Sequence, residues 1–165
     1  MAIPIVSFIA RPGHGKTTVI EKLIPALRRK GYRVGTIKHH VHTFMMDQPG
    51  KDTYRHKEAG ARTTALASPT GLGIIQDVER DLSPDEIAAL YFHDVDLILT
   101  EGYKGGTTPK IEVFRKEISP HPLSNRDNTW LAFVSDNRIG SDLPVFSPDD
   151  VTGLADFLIR KFLKS

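Results

Sequence analysis

Gly13-His14-Gly15-Lys16-Thr17-Thr18 places an ammonium and two hydroxyls directly after a pair of glycines. The run matches the second half of the phosphate-binding pattern G-x-x-x-x-G-K-[ST]. Small residues let successive backbone N–H groups turn inward on a polyphosphate, and a helix starting there offers its unsatisfied N-terminal N–H groups to the same anion. Lys16 is then expected to reach the β- and γ-phosphates, and the Thr17 hydroxyl to ligate Mg²⁺. Ala10 stands where the pattern has its first glycine, a departure that matters if the backbone there needs a glycine-only conformation.

A second chemical feature is the acid closing Val95-Asp96-Leu97-Ile98-Leu99-Thr100-Glu101-Gly102. A nearly continuous apolar run ending in a carboxylate is the pattern of a strand buried on both faces, and in phosphate-loop proteins that acid holds Mg²⁺ or its water. Glu101 is the candidate. Asp96 lies about five residues and ~17 Å back along the strand, and reads as a solvent-facing strand starter.

The third feature is Lys38-His39-His40-Val41-His42, followed by Asp47 and by Asp52-Thr53-Tyr54-Arg55. Loops leaving the C-terminal ends of parallel strands line the ligand crevice of open α/β sheets, so Lys38, His39, His40, Asp47, Asp52 and Arg55 are placed to face bound phosphates. The histidines also invite a Zn²⁺ or Ni²⁺ reading. Alternating positions on a strand face opposite ways, so His40 and His42 could share a metal that His39 could not easily join; a polar loop bonding phosphate or substrate is the preferred reading. Asp52 either caps a short helix or orders Mg²⁺ or water. Lys104, on the flexible loop Gly102–Pro109, either helps to cover the ligand or belongs to a simple connection. Asp136 accepts from a guanine ring or forms an Asp-Asn turn.

These residues need a framework. Ile5, Val6, Phe8 and Ile9 form the strand before the loop, and Val19, Ile20, Leu23, Ile24 and Leu27 the apolar stripe of the helix after it. Pro25 should bend that helix, and Gly31 ends it. A strand over Tyr32–Lys38 completes a right-handed βαβ unit with a parallel sheet. Asp52 to Ala59 reads as a short helix stopped by Gly60. Residues 63–76 read as a β-hairpin around Pro69-Thr70-Gly71, which is awkward inside a parallel sheet and so projects or sits at an edge. Ser83-Pro84-Asp85-Glu86 opens a helix that buries Ile87 and Leu90. Lys110–Arg115 and Trp130–Ser135 add strands, and Ser147-Pro148-Asp149-Asp150 caps a C-terminal helix. The expectation is one domain over residues 1–165: an α/β phosphate-loop NTPase with a mostly parallel open sheet, flanking helices and a projecting hairpin.

Composition narrows the class. A chain of 165 residues without cysteine has neither disulfides nor thiolate metal sites. No apolar run is long enough to span a membrane, and Arg11 interrupts the first hydrophobic stretch, unlike a secretion signal; cytoplasmic residence is expected. A net charge of +2 with interspersed acids does not point to nucleic acid.

The combination of GHGKTT, VGTIKHHVH, DQPGKDTYRHKEAGA, DLILTEGYK and PKIEVFR resembles the MobB family of molybdopterin-guanine dinucleotide biosynthesis adaptor proteins. The likeness runs from the first strand to about Arg115, and the TIKHH and PGKDTYRHKEAGA segments make it specific. It implies a dimeric GTP-binding protein with weak GTP hydrolysis, working beside the guanylyltransferase that joins GMP to molybdopterin, with the hairpin in the dimer contact. The phosphate loop falls on Gly13, His14, Gly15, Lys16, Thr17 and Thr18. Lys38, His39, Arg55 and Lys104 join it as ligand-binding residues, Thr17 and Glu101 as the Mg²⁺ site, and Lys16, Glu101 and Asp52 as the groups acting in hydrolysis. Two rivals stay open. An ATP-dependent small-molecule kinase or ligase would use the same loop, and a metal-delivery GTPase would use His39, His40 and His42.

Overall fold

The computed structural model describes residues 2–40, 42 and 44–163. In chain order the elements are β1 Ile5–Ile9, α1 Lys16–Arg29, β2 Val34–Lys38, α2 Asp52–Glu58, β3 Thr63–Ser68, β4 Gly71–Gln76, α3 Pro84–Tyr91, β5 Leu97–Glu101, β6 Lys110–Val113, β7 Trp130–Val134, β8 Val145–Phe146 and α4 Val151–Leu158. They form two compact units: residues up to 39 with those from 83 onward, and residues 40–82.

The first unit holds a six-stranded sheet in the order β2-β5-β1-β6-β7-β8. Every pairing in it is parallel. Period-2 alternation sends neighbouring residues to opposite faces, and both faces are filled. Val6, Phe8, Leu97, Leu99, Ile111 and Val134 pack with α1 and α4 through Leu23, Leu27, Leu154 and Leu158. Ile5, Ile37 and Ile98 meet Ala88 and Ile87 of α3, while Ile9, Trp130 and Phe133 are covered by Leu123, Ile139 and Leu143. Leu90, expected inside, is 56% exposed. Ala88 takes the buried place on a helix held by a full Ser83–Glu86 capping box.

Polar pins fix the connections. Asp96 is no mere strand starter: it accepts from the Arg33 backbone N–H at 2.7 Å and from its Nη2 at 3.0 Å, tying the start of β2 to β5. Thr100 Oγ1 donates to Ser7 Oγ at 2.8 Å, which lies 2.6 Å from Thr108 Oγ1. Lys110, fully buried, donates to the Gly106 and Thr108 carbonyls and to Thr129 Oγ1. The Gly102–Pro109 connection expected to be flexible is therefore anchored from below. α1 runs through Pro25 and closes at Lys30, with Gly31 at φ 90°.

In the second unit, β3 and β4 pair antiparallel in a sheet of their own, with Leu66 opposite Gly73, Ala65 opposite Ile74 and Ala67 opposite Leu72. The strands are one residue closer than expected, so only Pro69 and Thr70 lie between them. Lys51 occupies the cap of α2 without a side-chain bond, and Asp52 sits in the first turn, where a carboxylate favours the helix dipole. Lys57 joins this unit together through Asp77 Oδ1 and the Ala61 carbonyl. Among the described residues, no helix is long and apolar enough to cross a membrane.

Candidate functional site

The loop from Ala10 to Gly15 leaves β1 and turns into α1 at Lys16. Gly13 and Gly15 have φ of 81° and 88°, whereas Ala10 is not among the positive-φ residues. The replaced first glycine is thus a position that an alanine occupies without strain, its methyl buried in the core. Gly15 is the demanding position: besides its φ, an added Cβ would lie 3.2 Å from Arg115 Nη2.

Thr17 Oγ1 donates to Glu101 Oε2 at 2.9 Å. The register of β2 on β5 sets Lys38 beside Glu101, and Lys38 Nζ lies 3.6 Å from Oε1. Lys16, Thr17, Glu101 and Lys38 thus gather at the C-terminal ends of β1, β5 and β2, as parallel-sheet topology directs. Burial lowers the Lys16 pKa; Glu101 opposes that shift, and Lys104 and Lys38 add to it. A cation held among cations in partly dry surroundings gains from an incoming anion. A hydroxyl and a carboxylate oxygen are the hard donors that suit Mg²⁺, so Thr17 and Glu101 fit that ion.

Beyond Glu101 the chain turns sharply. Gly102 has φ 116°, with the space for a Cβ only 3.1 Å from His39 Cβ. Tyr103 takes φ 56°, costly for an aromatic residue, and its ring stacks on His39 at 4.3 Å. The His39 backbone N–H donates to the Glu101 carbonyl at 3.0 Å. His39 therefore braces the turn that carries Lys104, which is exposed.

His14 is buried, its ring turned toward the segment after β6. Nδ1 accepts the Arg115 backbone N–H at 3.0 Å, and Nε2 lies 3.4 Å from Ser119 Oγ. Burial pushes its pKa down, helped by Lys16, Arg11, Arg115 and Lys104. What His14 can still offer a ligand is backbone; its side chain is in use.

Asp52 and Arg55 belong to the 40–82 unit and lie 3.9 Å apart, both exposed. The His40 and His42 rings meet edge to face, their centroids 5.5 Å apart; Val41 and Thr43 lie outside the described residues. Among the described residues, no three His, Asp or Glu side chains form a group that could hold a metal. Asp136 accepts from Ser147 Oγ at 3.5 Å, and Asn137 closes the turn through Ser135 Oγ and the Lys116 N–H.

A family model, that of molybdopterin guanine dinucleotide synthesis protein B, MobB, matches residues 5–136. The chain belongs to this family. The molybdopterin-guanine dinucleotide biosynthesis adapter protein of Escherichia coli K12 is 38% identical over 162 residues, covering 96% of this chain and 93% of its own. That of Haemophilus influenzae is 34% identical over 157 residues, covering 94% and 88%. The crystal structure of Bacillus subtilis MobB superposes with a TM-score of 0.77 at 25% identity, covering 99% of this chain and all of that one. Two features lie beyond sequence reasoning in this MobB chain. His14, expected among the loop residues that bind the ligand, turns its ring inward to the Arg115 backbone, and Arg115, expected only as the end of an alternating strand, reaches back to the loop.

Proposed function

We propose that this protein binds GTP with Mg²⁺ on the 10–18 loop and acts as the adaptor beside the guanylyltransferase that joins GMP to molybdopterin. The observation that carries this reading is the Thr17–Glu101 contact at 2.9 Å, in a chain of a family named for that dinucleotide. Loop N–H groups and the start of α1 cradle the phosphates. Lys16 neutralises β/γ oxygens, and Thr17 and Glu101 would hold the metal, which would supply further charge compensation for the phosphates.

Lys38 and Lys104 add positive charge at the same end of the sheet. Glu101 is already engaged by Thr17 and Lys38, which leaves its carboxylate poorly suited to take a proton from water. Hydrolysis is therefore slow, and the protein works by presenting nucleotide rather than by turnover. A second copy of the chain covers the exposed apolar side chains of the β3–β4 hairpin, making a homodimer.

The test is a reconstituted synthesis with guanylyltransferase, molybdopterin and GTP·Mg²⁺. Adding this protein should raise dinucleotide yield, and the Lys16→Ala variant should not. Equal yield with either protein, or no gain from the unmodified one, contradicts the adaptor reading.

A further inference from the structure

We propose that Arg115 binds the nucleotide's phosphate chain at its nucleoside-proximal end, and that His14 positions it; this rests on the nucleotide reading above. Arg115 follows β6, on the opposite side of β1 from β5. Its guanidinium reaches back to the phosphate loop, with Nη2 3.2 Å from the Cβ position of Gly15. Its Nε is buried and has no hydrogen-bond partner among the described residues. A buried donor left unmade is costly, and a planar fork beside a polyphosphate cradle is the group that an anion would satisfy.

His14 explains why the arginine stands there. Because Nδ1 accepts the Arg115 N–H, the ring proton is on Nε2 and points to Ser119 Oγ, which in turn donates to the His121 carbonyl at 3.2 Å. Ile118 and Ser119 N–H groups close a turn on the Arg115 carbonyl at 3.1 and 3.2 Å. The loop residue thus holds the backbone from which the guanidinium extends.

The sheet order assigns the end of the chain. Thr17 and Glu101, with Lys38 beside them, lie on the β5 side of β1 and would hold a metal that offsets the charge of the terminal phosphates. Across β1, Arg115 meets what lies before the γ-phosphate, the part shared by GDP and GTP.

Calorimetric titration of GDP and of GTP, both with Mg²⁺, into the unmodified protein, Arg115→Met and Arg115→Lys tests this. Methionine keeps an apolar stem but loses the fork. Both nucleotides should weaken alike, by ~10-fold or more for a lost charge-assisted contact, with lysine restoring part. The apo melting temperature should stay close to that of the unmodified protein. Unchanged affinity in Arg115→Met overturns the proposal alone, and weakening of GTP only overturns the assigned end. No binding to the unmodified protein overturns the nucleotide reading and this with it. His14→Ala should weaken GDP in the parent yet add little in the Arg115→Met background; simple additivity would refute the positioning role.

Discussion

In the six-stranded sheet, Val6, Phe8, Leu97, Ile98, Leu99 and Val134 are wholly sealed from solvent, whereas in the hairpin Leu66 is 68% exposed, Leu72 67% and Ile74 42%. The sheet unit encloses its own core on both faces, and the phosphate loop grows from its central strand. The hairpin carries apolar side chains on both of its faces with little to cover them. A lone two-stranded ribbon is marginal in water, and apolar surface of this kind marks an interaction site. The proposed nucleotide site thus falls on the unit that seals its own core, and the proposed contact with a second copy on the unit that leaves apolar side chains exposed.

The sharpest way to break that division is at Lys16. Lys16→Ala removes a charged partner from several phosphate oxygens, each such bond worth ~1.5–3 kcal/mol. GTP binding should fall by ~100-fold or more, while the sedimentation behaviour should match that of the unmodified protein. Next in size, Leu99→Ala opens a cavity in the sealed core and should cost ~2–5 kcal/mol in denaturant unfolding. Leu72→Asp should instead turn dimer into monomer in sedimentation and leave GTP affinity as it was. A monomer that has lost nucleotide binding would mean that the two regions do not act independently.

Smaller effects sharpen the loop itself. Glu101→Gln keeps the contact to Thr17 but removes the charge, so the Mg²⁺ concentration needed for half-maximal GTP binding should rise ~10-fold. An unchanged Mg²⁺ requirement would put the metal elsewhere. The smallest effect is one of pH. His14 is held neutral, its pKa below the ordinary 6.5 chiefly by burial. Below about pH 6.5 the unfolded chain binds a proton that the folded one does not, so stability falls as pH drops from there toward the folded value. Melting temperature should decline across that window, and His14→Asn should flatten the slope relative to the parent.

Much of this was legible in the residues. Periodicity located the loop, the buried strand ending in Glu101 and the hairpin, because strands buried on two faces and turns rich in Gly and Pro leave strong local signatures. Leu90 departs from expectation because a helix stripe says which residues are apolar, not how wide a face its neighbours cover. Asp96 does stand just before β5 and partly faces solvent, as expected, but its tie to Arg33, 63 residues away, has no local signature. Ala10 looked costly only because the pattern does not say which glycines need positive φ. Arg115 and His14 meet across 101 residues, a contact that parallel topology creates and no local pattern announces.

The most direct test of the central claim is calorimetric titration of GTP, GDP and ATP into the purified protein with Mg²⁺. GTP should bind stoichiometrically, and ATP far more weakly. Equal or preferred ATP binding would contradict the guanine reading, and no binding of any nucleotide would contradict the site.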